Sequence, residues 1–373
     1  MPDQDDLVDF GEEPIEPSSN ALEQKYSKEM RQIVSQKIDL PISTLPEMIK
    51  EQIDLNPGFQ RRDRWDQEKR SRFIESIIMN VPIPPVFLGE DEYGSYVVLD
   101  GRQRLTAINE FLSNTYKLKS LKVWEDLNGQ SYNDLQKKKL AAAITRRFVP
   151  AVVILKESSP QVKYDVFDRL NTGGVTAETM EIRNAVFQGA FNELIRELAS
   201  LPNFRRLWDI PNDQAELEKN PLYRKMSDLE LVLRFFALLH FDRMNMKFKD
   251  YLGDFMDTRN KEYALNPVLA QEDREIFVKA IENCWTVFGD SVFRKDAGSK
   301  KSAPLADAVM VALSVYAPEI VREKALNIRA AIQGLLERNE DFRKAFGTGT
   351  NGKGAIHTRI QLAQEAVKAA LAA

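Results

Sequence analysis

The residues best suited to chemistry form one short motif, Asp100-Gly101-Arg102-Gln103-Arg104, which directly follows an apolar stretch. The apolar stretch predicts a strand, and the motif predicts a glycine turn that opens a helix. Backbone N–H groups in the first turn of a helix lack intrahelical partners, so they attract anions. Arg102 and Arg104 would add forked, permanently charged donors beside that turn. The motif therefore predicts a phosphate-binding site.

The same residues also fit an ordinary strand-to-helix joint, in which Asp100 caps the helix and the arginines are solvated. Arg104 would share a side of the helix with Ile108 and Phe111. An arginine beside an apolar face needs either an anion or a carboxylate as its partner. Both interpretations stay open on the motif alone.

Two further segments accompany the motif in a fixed order. Residues 56–65 read Asn-Pro-Gly-Phe-Gln-Arg-Arg-Asp-Arg-Trp, and residues 166–174 end in Arg-Leu-Asn-Thr-Gly-Gly. This set resembles the N-terminal domain family of GmrSD-type modification-dependent restriction enzymes, whose hallmark is Asp-Gly-Gln-Gln-Arg. Here Arg102 replaces one glutamine of the hallmark. The resemblance extends over residues 37–200.

That family is similar to the ParB and sulfiredoxin fold, in which matching motifs hold a nucleoside triphosphate. The resemblance implies a nucleotide-binding, NTP-hydrolysing sensor or regulatory subunit of a restriction or phage-defence system. Its implied ligands are a nucleoside triphosphate and Mg²⁺. Its implied partners are modified or foreign DNA and a separate nuclease subunit.

The resemblance also assigns roles to individual residues. The catalytic set would be Arg102, Gln103 and Arg104, with the arginines on the β- and γ-phosphate charge and Gln103 on a water or phosphate. Gln60 and Arg61 would approach the base or ribose. Asn171 would be the metal ligand. The nucleotide-binding residues would be Gln60, Arg61, Asp100, Gly101, Arg102, Arg104, Asn171, Thr172 and Gly173. Phosphoryl transfer requires mainly positioning and charge stabilisation, which these residue types provide without a histidine base.

Apolar periodicity predicts an α+β protein, with a small ParB-like mixed-sheet domain followed by an all-helical C-terminal bundle. The predicted segments are an acidic tail at 1–24, the nucleotide-binding domain at 25–190 and the helical domain at 191–373. A hairpin at 86–99 delivers the Asp100 motif, and residues 148–155 form a strand in the middle of the sheet. Asp66 is placed to cap a helix, and Ser227 with Glu230 matches a capping box. Further helices are predicted at 248–257, 273–287, 305–316, 319–337 and 356–372.

Composition sets the outer limits. The chain has 373 residues, of which 43% are hydrophobic and 29% charged, as in soluble globular proteins. The pattern shows neither a stretch of roughly 20 apolar residues nor a secretory signal, so we expect a cytoplasmic protein without a membrane partner. The single cysteine, Cys284, is expected to fill core space.

The net charge of −4 is concentrated at one end, because the first 16 residues contain seven acidic and no basic side chains. The remaining chain carries a formal charge of +3. The acidic segment is expected to be disordered and to aid solubility. A sharper hypothesis is that it competes with nucleic acid for the arginines and lysines at 61–72.

A glycine-rich stretch near the C-terminal end is similar to a P-loop but does not match it fully. Residues 347–353, Gly-Thr-Gly-Thr-Asn-Gly-Lys, imitate a phosphate-binding P-loop, but Gly354 replaces the Ser or Thr that holds Mg²⁺ and the preceding residues read as helix. If that loop touched phosphate at all, Lys353 and Arg359 would be the contacts.

The histidine count excludes further enzyme classes. With only His240 and His357 in the chain, neither an HNH nuclease nor a histidine zinc site is expected.

Three functions remain open. The first is the NTP-hydrolysing sensor, with its nuclease on another chain. The second is a nucleotide-gated DNA adaptor without turnover. The third is a nucleotide-independent DNA-binding scaffold, in which the arginines contact nucleic-acid phosphates.

Overall fold

The computed structural model describes residues 33–55, 65–91, 94–158, 162–166, 179–296, 298–347 and 349–373. Five strands form one mixed sheet in the order β1-β5-β3-β4-β2. The β1/β5 and β3/β4 pairs are antiparallel, whereas β5/β3 and β4/β2 are parallel. The strands are β1 (Ser35–Pro41), β2 (Ile53–Asp54), β3 (Val86–Glu90), β4 (Tyr96–Asp100) and β5 (Phe148–Ile154).

Short helices accompany this sheet. They are α1 (Leu45–Glu51), α2 (Gln67–Ile78), α3 (Arg102–Leu112), α4 (Tyr132–Lys137) and α5 (Ala142–Thr145), with a 3-10 turn at Glu125–Leu127. Residues 162–166 are helical as well. Helix α2 begins as predicted, because the Asp66 carboxylate accepts a 2.8 Å hydrogen bond from the Lys69 backbone N–H. It ends before Asn80, whose φ of 60° is incompatible with a continuing helix.

The strand predicted at 148–155 lies in the sheet interior, as β5, although it contains a proline. Pro150 pairs with Asp39 of β1, but the pairing with β3 begins only at Ala151. A proline has no N–H to donate to a ladder. Pro150 therefore sits at the one stretch of β5 that has a neighbour on a single side.

The two faces of the sheet pack against different cores. Successive side chains of a strand point to opposite faces. Val98 joins a smaller core formed with α2 and α3, whereas the adjacent Leu99 joins a larger core formed by the C-terminal helices. On β3, Leu88 belongs to the smaller core and Phe87 packs against the larger one. The end of β4 thus lies where the two cores meet.

Helices account for the regular structure described after residue 178. They are α6 (Thr179–Val186), α7 (Ala190–Ser200), α8 (Pro202–Leu207), α9 (Gln214–Leu217), α10 (Pro221–Arg224), α11 (Ser227–Leu239), α12 (Phe248–Leu265), α13 (Val268–Phe288), α14 (Ala303–Leu313), α15 (Pro318–Glu323), α16 (Ala325–Arg338), α17 (Glu340–Lys344) and α18 (Lys353–Ala372). Two short 3-10 turns, Phe241–Arg243 and Gly289–Ser291, connect them. Helix α14 is buried from Leu305 to Leu313, and it packs on α18 and α11.

The predicted α+β class is confirmed, with a mixed sheet first and helices afterwards. The domain boundaries and the relation to the ParB fold stay predictions. Cys284 is fully buried, and burial raises the pKa of its thiol, as expected of a core residue. Within the described ranges, none of the helices combines the length and the apolar character needed to cross a bilayer.

Two local predictions are wrong. The capping box at Ser227 and Glu230 does not form, because Met226 is the N-cap of α11 in the left-handed region at φ 54°. Glu230 instead pairs with Arg183 at 3.2 Å. The single helix predicted at 319–337 is interrupted at Lys324, where the chain leaves helical geometry between α15 and α16.

A buried carboxylate stabilises the smaller core. Glu75 of α2 accepts hydrogen bonds from the backbone N–H groups of Lys122 at 3.1 Å, Val123 at 2.8 Å and Trp124 at 2.9 Å. Burial by itself would raise the pKa of Glu75, but these three backbone donors outweigh it and hold the pKa below its ordinary value. The ionised form therefore contributes to the stability of the fold.

We expect Glu75→Gln to lower the free energy of unfolding by about 1–3 kcal/mol at pH 7, because three N–H groups lose a charged acceptor. A group with a lowered folded pKa contributes fully above its unfolded pKa, and the contribution disappears as pH falls through the folded pKa. The gap between wild type and variant should therefore shrink between pH 5 and pH 3, roughly where a glutamate titrates. Urea denaturation at both pH values measures it, and a gap that stays constant contradicts the assignment. Glu125→Gln, at an exposed acid nearby, is the control.

Candidate functional site

The predicted site residues lie where β4 turns into α3. Gly101 has a φ of 95°, and it is the N-cap of α3. Its carbonyl accepts hydrogen bonds from the backbone N–H groups of Arg104 and Leu105, both at 3.0 Å. The alternative prediction that Asp100 caps the helix is wrong, because no side-chain cap is present at this N-terminus among the described residues.

Gly101 is required here for two separate reasons. Its left-handed backbone conformation disfavours any residue with a Cβ. In addition, a Cβ at this position would lie 2.4 Å from Cγ1 of Val86 and 2.8 Å from its Cβ. The turn that begins α3 therefore packs directly on Val86 of β3.

A bulge in β4 sets the direction of Asp100. Phe87 pairs with Asp100 and Leu88 pairs with Val98, so Leu99 is the extra residue of the β3/β4 pair. Bulges redirect side chains and bend the strand locally. The Asp100 side chain is consequently about half exposed, at 48%, at the entrance to the turn.

Arg104 was predicted to need an anion or a carboxylate as its partner, and it has a carboxylate. Its Nη2 donates to Oδ2 of Asp100 at 2.7 Å. Its Nη1 donates to the backbone carbonyls of Pro85, at 3.2 Å, and of Pro84. With 13% of its side chain exposed, Arg104 ties the segment before β3 to the end of β4 and the start of α3. This internal role was not predicted from the sequence.

Gln103 connects the turn to the segment that precedes α2. Its side-chain carbonyl oxygen accepts a 3.1 Å hydrogen bond from the backbone N–H of Trp65. The Trp65 ring meets Phe73 edge-on at 5.6 Å, and the Lys69 ammonium lies 5.1 Å from the centre of the Trp65 ring. Trp65 is therefore held from three directions. Arg102 is half-buried in the same first turn of α3.

The structure brings Asp100, Gly101, Gln103 and Arg104 together around one turn. Other predicted site residues fall outside the described residues: Gln60, Arg61, Asn171, Thr172 and Gly173. Their roles stay predictions, as does Mg²⁺ binding by Asn171. Within the described ranges, no group of three or more His, Cys, Asp or Glu side chains could hold a metal ion.

The P-loop-like stretch is preceded by helix α17, as predicted, and not by the buried strand that a P-loop requires. Arg359 does not reach outward from it. Its guanidinium is fully buried and donates to the Thr350 carbonyl and, at 2.8 Å, to Asp307. The expectation that Arg359 would contact phosphate from this loop is therefore wrong for this conformation.

Sequence reasoning missed the buried ion cluster beneath that loop. Asp307 accepts from Arg359 and, through both of its oxygens, from Arg234, whose Nε lies 3.1 Å from Oδ1. All three side chains are at most 7% exposed. Burial lowers the pKa of both arginines, and the Asp307 carboxylate raises it. At Arg359 the effect of burial is larger, so the pKa is lowered. At Arg234 the effect of Asp307 is larger, so the pKa is raised. One carboxylate thus serves two buried cations.

Both histidine rings pack against aromatic side chains. The His240 ring stacks on Phe255 with 6.0 Å between ring centres, and burial, aided by the nearby Arg243, lowers the pKa of the imidazole. The His357 ring meets Phe241 edge-on at 5.4 Å.

The protein is of the α+β class. In its mixed sheet, one strand is followed by a glycine in the left-handed conformation and by a helix that starts with Arg-Gln-Arg. Residues 42–188 match the family model described as the N-terminal domain of GmrSD restriction endonucleases. This span contains every predicted site residue from Gln60 to Gly173. The match indicates a component of a restriction or phage-defence system. Neither a curated protein nor a solved structure matches the chain.

Proposed function

We propose that this protein is the nucleotide-binding, NTP-hydrolysing sensor subunit of a restriction or phage-defence system, and that another chain supplies the nuclease. The nucleoside triphosphate would bind at the turn formed by Asp100 and Gly101, with Mg²⁺ held through Asn171. Modified or foreign DNA would be the signal that the subunit reports.

One observation carries this proposal. Helix α3 begins at Arg102 directly after Gly101, and no side chain of the described residues caps its N-terminus. The start of a helix carries the positive end of its dipole, which attracts a phosphate, and the first residue of this helix adds a cationic side chain. The family match supports the same site, because it covers the segments on both sides of the turn.

The internal bonds of Arg104 refine the roles within the site. Because Asp100 and two proline carbonyls already hold its guanidinium, Arg104 positions the turn in this proposal. Arg102 is then the main side-chain cation for the β- and γ-phosphates. Gln103 fixes Trp65 through the hydrogen bond from its backbone N–H. In this proposal Gln60 and Arg61 contact the base or ribose.

We expect Arg102→Ala to weaken the binding of a nucleoside triphosphate with Mg²⁺ at least tenfold, which corresponds to about 1.4 kcal/mol. A charge-assisted hydrogen bond of this kind contributes about 1.5–3 kcal/mol. Arg102→Gln restores the hallmark residue of the family, so it should retain more affinity than the alanine variant. Calorimetric titration with ATP, GTP, CTP and UTP measures the effect. Arg146→Ala, at an exposed arginine of the same half of the chain, is the matched control.

The second candidate function is the DNA adaptor or scaffold. The stretch at 115–147 favours it, since it contains eight lysines and arginines but three acidic residues. Phosphate release with and without modified DNA separates a hydrolysing sensor from a nucleotide-gated adaptor. If no triphosphate binds and DNA affinity falls steeply with salt, the scaffold function is correct and the nucleotide proposal is wrong.

A further inference from the structure

A second concave site lies in the helical half of the chain, remote in sequence from the Asp100 turn. It is a cleft of about 830 Å³ between the C-terminal end of α13, the middle of α14, one side of α16 and the segment after α17. Pockets for small molecules have volumes of roughly 300–1,000 Å³. The cleft is therefore large enough for a ligand of the size of a nucleotide.

Helix α16 turns one continuous side toward this cleft. Its lining residues, Arg329, Ile332, Gln333, Leu336 and Glu337, follow the spacing i, i+3, i+4, i+7 and i+8. That spacing places side chains on one face of a helix. This face of α16 therefore presents two apolar side chains, Ile332 and Leu336, together with three polar ones to the cleft.

The floor of the cleft is apolar and well buried. Leu305, Val309 and Ile332 are each at most 3% exposed, and Phe346 adds an aromatic ring at the side. Phe346 is fixed by an edge-on contact with Phe342, with 4.8 Å between ring centres. Such a floor suits a flat or apolar group of a ligand.

The polar lining carries an excess of positive charge, because four cationic side chains face two acidic ones. Arg294 is paired with Asp209 at 2.7 Å. The Arg329 guanidinium lies 2.7 Å from the Ser291 hydroxyl, and the Lys295 ammonium lies 3.5 Å from the Phe346 carbonyl. The Lys295 ammonium also lies 5.1 Å from the centre of the Phe346 ring. These partners are all neutral, so neither cation has an ion-pair partner among the described residues.

Arg343 adds a further cation on the exposed side of α17. Among the described residues, no carboxylate lies within ion-pair distance of Lys295, Arg329 or Arg343. Guanidinium groups favour phosphate and carboxylate ligands, to which they donate in pairs.

A strained residue lies at the same place. Phe293 has a φ of 61°, which is unusual for a bulky side chain, and it is 2% exposed against Trp208. Backbone strain of this kind concentrates at ligand sites, where the surroundings hold it in place. Phe293 lines the cleft together with the two cations that follow it, Arg294 and Lys295.

We propose that this cleft binds a small organic phosphate that carries a planar ring. The phosphate lies against Arg329 and Arg343, and the ring lies over Ile332 and beside Phe346. This site is separate from the proposed triphosphate site at Gly101, and it does not depend on that proposal.

Calorimetric titration of the full chain with AMP, adenosine and inorganic phosphate tests the assignment. AMP contains both halves of the proposed ligand, so we expect it to bind at least tenfold more tightly than adenosine or phosphate. Arg343→Gln should weaken AMP binding at least tenfold, and Gln333→Trp should abolish it by filling the cleft. Both positions are exposed, so the variants should melt like the wild type. Arg338→Gln, at an exposed arginine of α16 outside the lining, should bind AMP normally.

The results separate the two sites. AMP binding that survives both cleft variants but is lost in Arg102→Ala would place the ligand in the N-terminal half and overturn the proposal. The absence of any AMP binding at millimolar concentration would overturn it as well. Failure of triphosphate binding in the wild type leaves the cleft proposal unaffected, provided that AMP binds and both cleft variants reduce that binding.

Discussion

Replacing Asp307 with asparagine should destabilise the protein by about 3–5 kcal/mol, the range seen when one partner of a buried ion pair is removed. Asp307 is 4% exposed and is the shared carboxylate of Arg234 and Arg359. Asparagine keeps the shape but removes the charge, so two buried guanidinium groups would face each other without compensation. Urea denaturation followed by circular dichroism measures the loss.

A second variant tests whether the balance of charge in the cluster of Arg234, Asp307 and Arg359 matters. Arg359→Met leaves Arg234 and Asp307 as a balanced pair, and it also removes the buried Nε of Arg359, which has no hydrogen-bond partner within the described structure. We therefore expect Arg359→Met to cost clearly less than Asp307→Asn. Equal losses would show that the imbalance of charge does not matter.

A surface pair is the control for these variants. Asp257 and Lys261 form a 2.6 Å ion pair on helix α12, with 68% of the lysine side chain exposed. Exposed pairs contribute about 0–1 kcal/mol, because water and salt screen them. Asp257→Asn should therefore leave the unfolding transition nearly unchanged.

Local signals in the sequence were sufficient for much of the sheet. The β3/β4 hairpin, the cap at Asp66 and the central strand β5 follow from alternation, apolar length and side-chain chemistry within a few residues. The turn at Gly101 also followed, because a glycine between a strand and a helix has few other uses. These features depend on residues that are close together in the sequence, so local sequence patterns are sufficient to predict them.

Partners that are distant in sequence could not be predicted in this way. Asp307 is 73 residues from Arg234 and 52 from Arg359, and no spacing rule connects them. Glu230 was assigned to a cap three residues away, whereas its observed partner, Arg183, is 47 residues away. With 56 acidic and 52 basic residues in the chain, tertiary packing alone selects the pairs.

The candidate site also combines a local feature that the sequence predicts with distant contacts that it does not. The sequence predicted that Arg104 needs an anion or a carboxylate, and the structure selects the carboxylate of Asp100. The bonds of Arg104 to the carbonyls of Pro84 and Pro85 depend on how β3 enters the sheet, which the pattern does not encode. Arg104 is therefore part of the framework of the turn, and its catalytic role stays a prediction.

Replacing Gly101 with alanine should have the second large effect, a loss of roughly 2–5 kcal/mol. The left-handed conformation costs about 1–2 kcal/mol for a residue with a Cβ, and overpacking against a core side chain costs about 1–3 kcal/mol. Both apply, because φ is 95° and the new Cβ would lie 2.4 Å from Cγ1 of Val86. Thermal and urea denaturation measure the sum.

Gly94→Ala separates the two costs. Gly94 has a φ of 80° in the same hairpin, but a Cβ built there meets no atom of the other described residues within 4 Å. Its alanine variant should therefore show the conformational cost alone. The excess loss in Gly101→Ala then measures the close contact with Val86, and Val86→Ala in the same chain should recover part of that excess, because residues in contact do not act additively. If the two glycine variants lose equal stability, the start of α3 does not pack tightly on β3.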